Sequence, residues 1–212
     1  NTDLDGDGAF ICQNSWGDNF GDDGFFYISY YDTNIGTHNV VYTDIENTDN
    51  YDHIYQSDLC GWVGQLGYNK DSIYGANVFT AEGNETLKAA SFYATGKDSQ
   101  YELYVVRQFE DETSLEKMIP VASGKLGNAG YYTVDFNQGI EVDAGERYAV
   151  VLHIITPGSV HPMAIEYAAD EATENVDLDD GESYISANGS KWVSVDTVEK
   201  SNLCIKAFSD NR

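Results

Sequence analysis

Four carboxylates fall within six residues at Asp177-Leu178-Asp179-Asp180-Gly181-Glu182, beside a segment with strand-like alternation. Such crowding repels itself unless water or a cation neutralises it, and a hard oxygen-seeking ion is the natural partner. Asp177, Asp179, Asp180 and Glu182 are therefore candidate calcium ligands, with a plain solvated loop as the alternative. Glu82 and Glu85, in the AEGNE turn, are a second source of a ligand. The opening Asp3-Leu4-Asp5-Gly6-Asp7-Gly8 has the start of a calcium loop, but Asn14 stands where the bidentate Glu is needed, so it is read as an acidic loop. Cys12, Cys60 and Cys204 are too few for a thiolate metal site or a disulfide framework, although one Cys60–Cys204 bridge would form if their strands were neighbours. The four histidines, His38, His53, His153 and His161, are each read as ordinary strand or loop residues.

Positioning these groups requires a β scaffold. The chain has 212 residues, 42% of them hydrophobic, with 16 Tyr and 20 Gly against 2 Met and 3 Pro. Short alternating segments recur, among them Ile73–Ala81, Leu87–Thr95, Tyr101–Gln108, Pro120–Lys125, Tyr131–Phe136, Arg147–Ile155, Met163–Tyr167, Ser183–Ser186, Lys191–Val195 and Leu203–Phe208. Turn sequences such as EGNE, TGKD, DAGE, TPGS and ANGS separate them. Asp111–Met118 alone is compatible with a helix, of one or two turns. Many short strands without long crossovers predict an all-β sandwich of jelly-roll type. Tyr30, Tyr31, Tyr51, Tyr55, Trp62, Tyr68 and Tyr74 either pack the core or form a platform on which sugar rings stack.

Acids outnumber bases 36 to 11, for a formal charge of −25. Nucleic acid and anionic membranes are poor partners for such a surface, because both need Lys and Arg against phosphate. No apolar run reaches the ~18 residues of a membrane span. Residues 1–69 contain no Lys or Arg, so the first third differs in kind from the remainder of the chain. The chain opens at Asn1 without a signal peptide or an initiator Met, and is read as a mature product or an excised fragment.

The segment Ala9–Tyr30, AFICQNSWGDNFGDDGFFYISY, resembles the catalytic-Asn segment of papain-like cysteine peptidases: an apolar strand, N-S-W-G, a Gly-rich spacer and an aromatic strand. The resemblance implies that Asn14 accepts a proton from the catalytic imidazole and fixes its orientation, and that Trp16 shields this bond from water. Gly17, Gly21 and Gly24 would shape the turn. In that family the nucleophilic Cys and the His both precede this segment, so neither is expected among these residues. Cys12 lies C-terminal to where the nucleophile belongs, and no His precedes it.

From about Asn50 to Ser209, the stretches YDHIYQSDLCGW, ANVFTAEGNETLKAASFY, YELYV, PVASGKL, AGYYTVDF, ERYAVVL, ESYISANGSKW and NLCIKAF resemble the lectin-like domain found after papain-like catalytic domains in bacterial surface and secreted peptidases. That resemblance implies a β-sandwich accessory domain, in some members calcium-binding, for residues 51–209. Residues 1–35 would be a β-hairpin remnant of the catalytic domain, and 36–50 a linker. The expected partners are the upstream catalytic half and a glycan, cell-wall or protein ligand, on a bacterial surface or outside the cell. Alone, the chain is expected to bind and not to cut. Two rival readings are a stand-alone carbohydrate- or protein-binding module and one chain of a processed two-chain peptidase.

Overall fold

The computed structural model describes residues 8–36, 40–43 and 45–212. The acidic opening at 3–7 and His38 lie outside the described residues. The chain divides into two compact units, Asn1–Asn47 and Thr48–Arg212.

In the first unit, β1 (Ala9–Gln13) and β2 (Phe25–Ser29) form an antiparallel hairpin, in register from Ala9 opposite Ser29 to Gln13 opposite Phe25. The connection needs left-handed backbone, and Gly17, Gly21 and Gly24 supply it at φ of 93°, 74° and 89°. A Cβ on Gly21 would sit 2.1 Å from the Phe25 carbonyl oxygen, so no other residue fits there. Among the described residues of this unit only Gly24 is buried.

The second unit contains β3 (His53–Tyr55), β4 (Gly64–Leu66), β5 (Ser72–Thr80), β6 (Glu85–Ala94), β7 (Ser99–Val106), β8 (Ile119–Leu126), β9 (Gly130–Val142), β10 (Arg147–Ile155), β11 (Met163–Glu166), β12 (Glu182–Ser186), β13 (Val193–Ser194), β14 (Asn202–Leu203) and β15 (Ile205–Asn211). A six-stranded sheet runs β13-β12-β5-β10-β7-β8, and a four-stranded sheet runs β3-β15-β6-β9. A small third sheet, β14-β11-β4, completes the set. The named pairings are all antiparallel.

Alternation builds the core. Leu103 and Val105 of β7, Val150, Leu152 and Ile154 of β10, and Leu87, Ala90 and Phe92 of β6 are all at most 1% exposed and belong to one cluster. Met163, Ile165 and Leu203 of the third sheet join it. Each Leu, Val, Ile, Phe or Met among them contributes roughly 1.5–3 kcal/mol by leaving water. The central strand β10 reads RYAVVLHII because both of its faces are covered. Its outward Ala149 and Val151 lie in a second cluster under Phe109 and Leu115, with Trp192 against it. Leu115 rides on a short 3₁₀ turn, Glu112–Glu116, capped by Asp111, where sequence alone gives Asp111–Met118. Asn77, 1% exposed, crosses between sheets: its amide donates to Leu203 O and Ile205 O at 2.9 Å and accepts from Ser183 Oγ at 2.7 Å.

The fold is the all-β class that the alternation predicts. Edges differ in detail: β9 runs on from Phe136 to Val142, and β3 is a three-residue strand that the alternating segments do not include. Tyr55 and Tyr68 pack against the main core and Tyr74 against the second cluster, whereas Tyr30 and Tyr31 are exposed.

Candidate functional site

Asn14 comes directly after β1, at the mouth of the hairpin turn. Its Nδ2 donates to Gly24 O at 2.8 Å and to Phe20 O at 3.3 Å, and its Oδ1 accepts the Trp16 N–H at 2.6 Å. The side chain thus ties both limbs of the turn together. An amide oxygen has two lone pairs, so Oδ1 can still accept one proton from outside. Trp16 is 75% exposed and meets Phe20 edge-on at 5.1 Å, and Phe20 meets Phe26 of β2 at 5.6 Å.

The acidic run 177–182 divides. Asp180 Oδ1 and the Asp177 carbonyl oxygen lie 3.3 Å and 2.9 Å from Asn202 Nδ2, which also lies 3.1 Å from Glu166 Oε2 and 2.7 Å from Ser57 O. One amide nitrogen has two hydrogens, so it cannot serve four oxygens. Glu166 and Asn202 are at most 1% exposed. Burial, reinforced by Asp177, pushes the Asp180 carboxyl up. Turning the Asn202 amide over would add a fifth oxygen to the four, and five oxygens with two carboxylates suit a hard cation. Gly181 leaves the room: a Cβ there would come 2.5 Å from Asn202 Oδ1. Asp179 and Glu182 are elsewhere, on Lys200 Nζ at 2.7 Å and on the guanidinium of Arg147. Among the described residues, no three His, Cys, Asp or Glu side chains gather as a metal-ligand group; the convergence is two carboxylates, two carbonyls and an amide.

Glu85 accepts from Tyr55, Ser209 and the Gly83 N–H. Cys60 and Cys204 are both free thiols, one exposed and one buried, so the bridge that sequence allowed does not form. Burial pushes the Cys204 thiol far up, away from a reactive thiolate, and Cys12 is a free thiol.

A further polar network lies on the outer face of the six-stranded sheet. His153 of β10 stands directly opposite Glu102 of β7 on one side and Tyr74 of β5 on the other. Its Nδ1 is 2.7 Å from Glu102 Oε2 and its Nε2 is 2.9 Å from Ser72 Oγ, with the Tyr74 ring stacked on it at 3.9 Å. Tyr104 donates to the same Glu102 oxygen at 3.1 Å. Its own hydroxyl is pushed up to about 12, by burial first and Glu102 second.

The family model described as "Lectin like domain" matches residues 54–209, most of the chain. The chain belongs to the lectin-like domain family. No curated protein matches it. Among solved structures, it is similar to a clostridial cysteine protease, Cwp84, after propeptide cleavage, with 25% identity and a TM-score of 0.79. That match covers 96% of this chain and 52% of the other. A second likeness is to the cysteine protease and lectin-like domains of Cwp84, a surface layer associated protein of Clostridium difficile. Here identity is 22%, the TM-score 0.73, and the coverage 96% and 46%, which speaks for the fold alone. The lectin-like chain therefore spans about half the length of these relatives.

Two groups of residues in the lectin-like domain escape a reading of the sequence. Glu166 and Asn202 meet only because β11 pairs with β14. Glu102, His153 and Ser72 meet only through the register of three strands distant in sequence. The one local signal is that Glu102 and Tyr104 share the wet face of an alternating strand.

Proposed function

We propose that this chain is the C-terminal portion of a secreted or surface papain-like cysteine peptidase. The Asn14 hairpin would complete the catalytic domain, and the lectin-like sandwich would act as an accessory binding domain. The observation that carries this reading is the 96% coverage by the protease structure, which takes in hairpin and sandwich alike. In the assembled enzyme the remaining lone pair of Asn14 Oδ1 accepts the imidazole N–H of the catalytic His, and Trp16 covers that bond. The upstream half supplies Cys and His; this chain supplies orientation and is not catalytic alone. A surface or secreted location accords with the surface-layer relative, and among the described residues no helix is long and apolar enough to cross a membrane.

The test is to co-express the chain with the upstream half of such a peptidase. Co-purification and peptidase activity support the reading, with Asn14→Ala lowering kcat about 10–100-fold at little change in KM. Failure to associate, or turnover unchanged by Asn14→Ala, favours the rival reading of a stand-alone binding module. That rival draws on the hydrogen bonds by which Asn14 already closes its own turn.

We also infer that calcium would be held by Glu166, Asp180, the Asn202 amide and the carbonyls of Ser57 and Asp177. There it would neutralise two carboxylates and lock the 177–182 loop onto β14.

A further inference from the structure

The outer face of the six-stranded sheet carries two adjacent cross-strand rows of side chains. One reads Ser123, Glu102, His153, Tyr74, and the other Lys125, Gln100, Ile155, Ser72. Facing residues in such rows stand roughly 5 Å apart. The β8, β7 and β10 members of both rows line a groove of about 360 Å³, within the size range of small-ligand sites. We propose that this groove binds a neutral saccharide, with Glu102, Gln100 and Lys125 taking sugar hydroxyls and Ile155 receiving an apolar face of the ring.

The groove is organised in advance. Glu102 is ionised, its carboxyl held down first by His153 and further by Tyr104. A carboxylate only accepts, so His153 Nδ1 carries a proton toward Glu102, and its Nε2 is hydrogen-bonded to Ser72 Oγ at 2.9 Å. With both nitrogens engaged and Tyr74 stacked on one face, the imidazole cannot turn. Both donors reach Oε2, so Oε1 of Glu102 takes no hydrogen bond among the described residues and is open to a ligand hydroxyl. Carboxylate, amide, ammonium and hydroxyl within one groove match the mixed donors and acceptors of a sugar. The net charge of −25 repels polyanionic glycans.

Two other uses of these residues fit less well. Ser72, Glu102 and His153 have the connectivity of a hydrolytic triad, but Ser72 does not line the groove, so it acts as a positioning residue. Adding a peptide strand to edge strand β8 is opposed by Pro120, which removes a donor from that edge.

The inference rests on the lectin-like reading of the sandwich and not on the hairpin. Its failure would leave assembly with the catalytic half untouched, and failure of that assembly would leave the groove standing. The experiment titrates the full chain with neutral hexasaccharides, namely α-1,4-glucan, β-1,4-glucan and β-1,4-linked N-acetylglucosamine, and tracks backbone amide and imidazole resonances. Saturable shifts on β7, β8 and β10 and at His153 are expected with at least one of them. Glu102→Ala should weaken that binding about tenfold or more, and Lys125→Ala should weaken it as well, at unchanged melting temperature. If Glu102→Ala fails to fold, Lys125→Ala and Gln100→Ala carry the comparison. No saturable shift up to about 10 mM sugar, shifts confined to the aromatic cluster in which Tyr93 meets Trp62 at 5.7 Å and Tyr131 at 5.0 Å, or affinity indifferent to these substitutions would overturn the proposal, as would a peptide that perturbs β8 when no sugar does.

Discussion

Lys206 Nζ lies 2.7 Å from Asp58 Oδ1, with the lysine side chain 12% exposed and the carboxylate wholly buried. The same ammonium reaches the Asp58 carbonyl at 3.3 Å, while Oδ2 of Asp58 has no partner among the described residues. Removing one partner of a buried pair leaves a charge that the interior cannot solvate, at a cost of about 3–5 kcal/mol. Lys206→Met should destabilise the sandwich on that scale in urea unfolding. The double variant Asp58→Leu, Lys206→Met should recover most of the loss. A single variant as stable as the parent would show that the pair contributes nothing.

Glu85 is 0% exposed and accepts from Tyr55, Ser209 and Gly83. Burial pushes its carboxyl up, but the donors together outweigh burial and bring it below the ordinary 4.5. The folded state therefore holds this proton less tightly than the unfolded chain does. Its stabilisation is complete above the unfolded value and is lost as pH falls through the folded one. Glu85→Gln, which sets an NH₂ against hydroxyl and N–H donors, should cost about 2–3 kcal/mol at neutral pH. Acid melts should also flatten, because the variant lacks the titrating group. A variant whose stability keeps the parent's slope in the acid range would place the acid response elsewhere.

Calcium should raise the melting temperature, by about 2.7 kcal/mol in stability at a hundredfold excess over Kd. Sodium chloride at matched ionic strength should do less, and so should magnesium, which demands tighter octahedral geometry. Asp180→Asn and Glu166→Gln should abolish the calcium response. Asp179→Asn and Glu182→Gln should leave it, since those carboxylates face Lys200 and Arg147. The reverse pattern would move the ion to the exposed side of the loop.

Ile11 and Tyr27 are directly paired across the hairpin, and about two thirds of each is exposed. A two-stranded ribbon has no second layer with which to cover such a face. On its own, the chain should self-associate with concentration in light scattering. Ile11→Lys with Tyr27→Lys should suppress this and leave the melting of the sandwich unchanged. Self-association undiminished by the pair of lysines would locate the sticky surface on the sandwich.

Much of the sandwich is legible in the sequence because β7 and β9 each have a wet and a dry face, which alternation reports directly. β10 is legible for the opposite reason, as an apolar run covered on both sides. The hairpin turn is legible too, since Gly17, Gly21 and Gly24 sit where left-handed backbone is needed. What alternation cannot report is register. Four carboxylates in a row draw the eye to 177–182, yet only the Asp177 carbonyl and the Asp180 side chain meet Asn202, and Glu166 joins from another strand. His153 reads as an ordinary strand residue because its partners, Glu102 and Ser72, are 51 and 81 positions away. β3 and β4, three residues each, are too short to show a period.

The pairing of β3 with β15 has a consequence for how the chain acquires its shape. Asp52 accepts from the Asn211 N–H across 159 positions, so the first strand of the four-stranded sheet has its neighbour only after nearly all of the second unit has been made. At the usual pace of synthesis that is an interval of roughly 10–30 s. During it, Ile54 and Tyr55 have no native strand beside them. Closing so long a loop before any contact rewards it makes folding slow, and the unfolded interval is when proteases and wrong partners have access. Completion of the four-stranded sheet therefore waits on β15, and until that strand arrives the edge of β3 stays open to other strands.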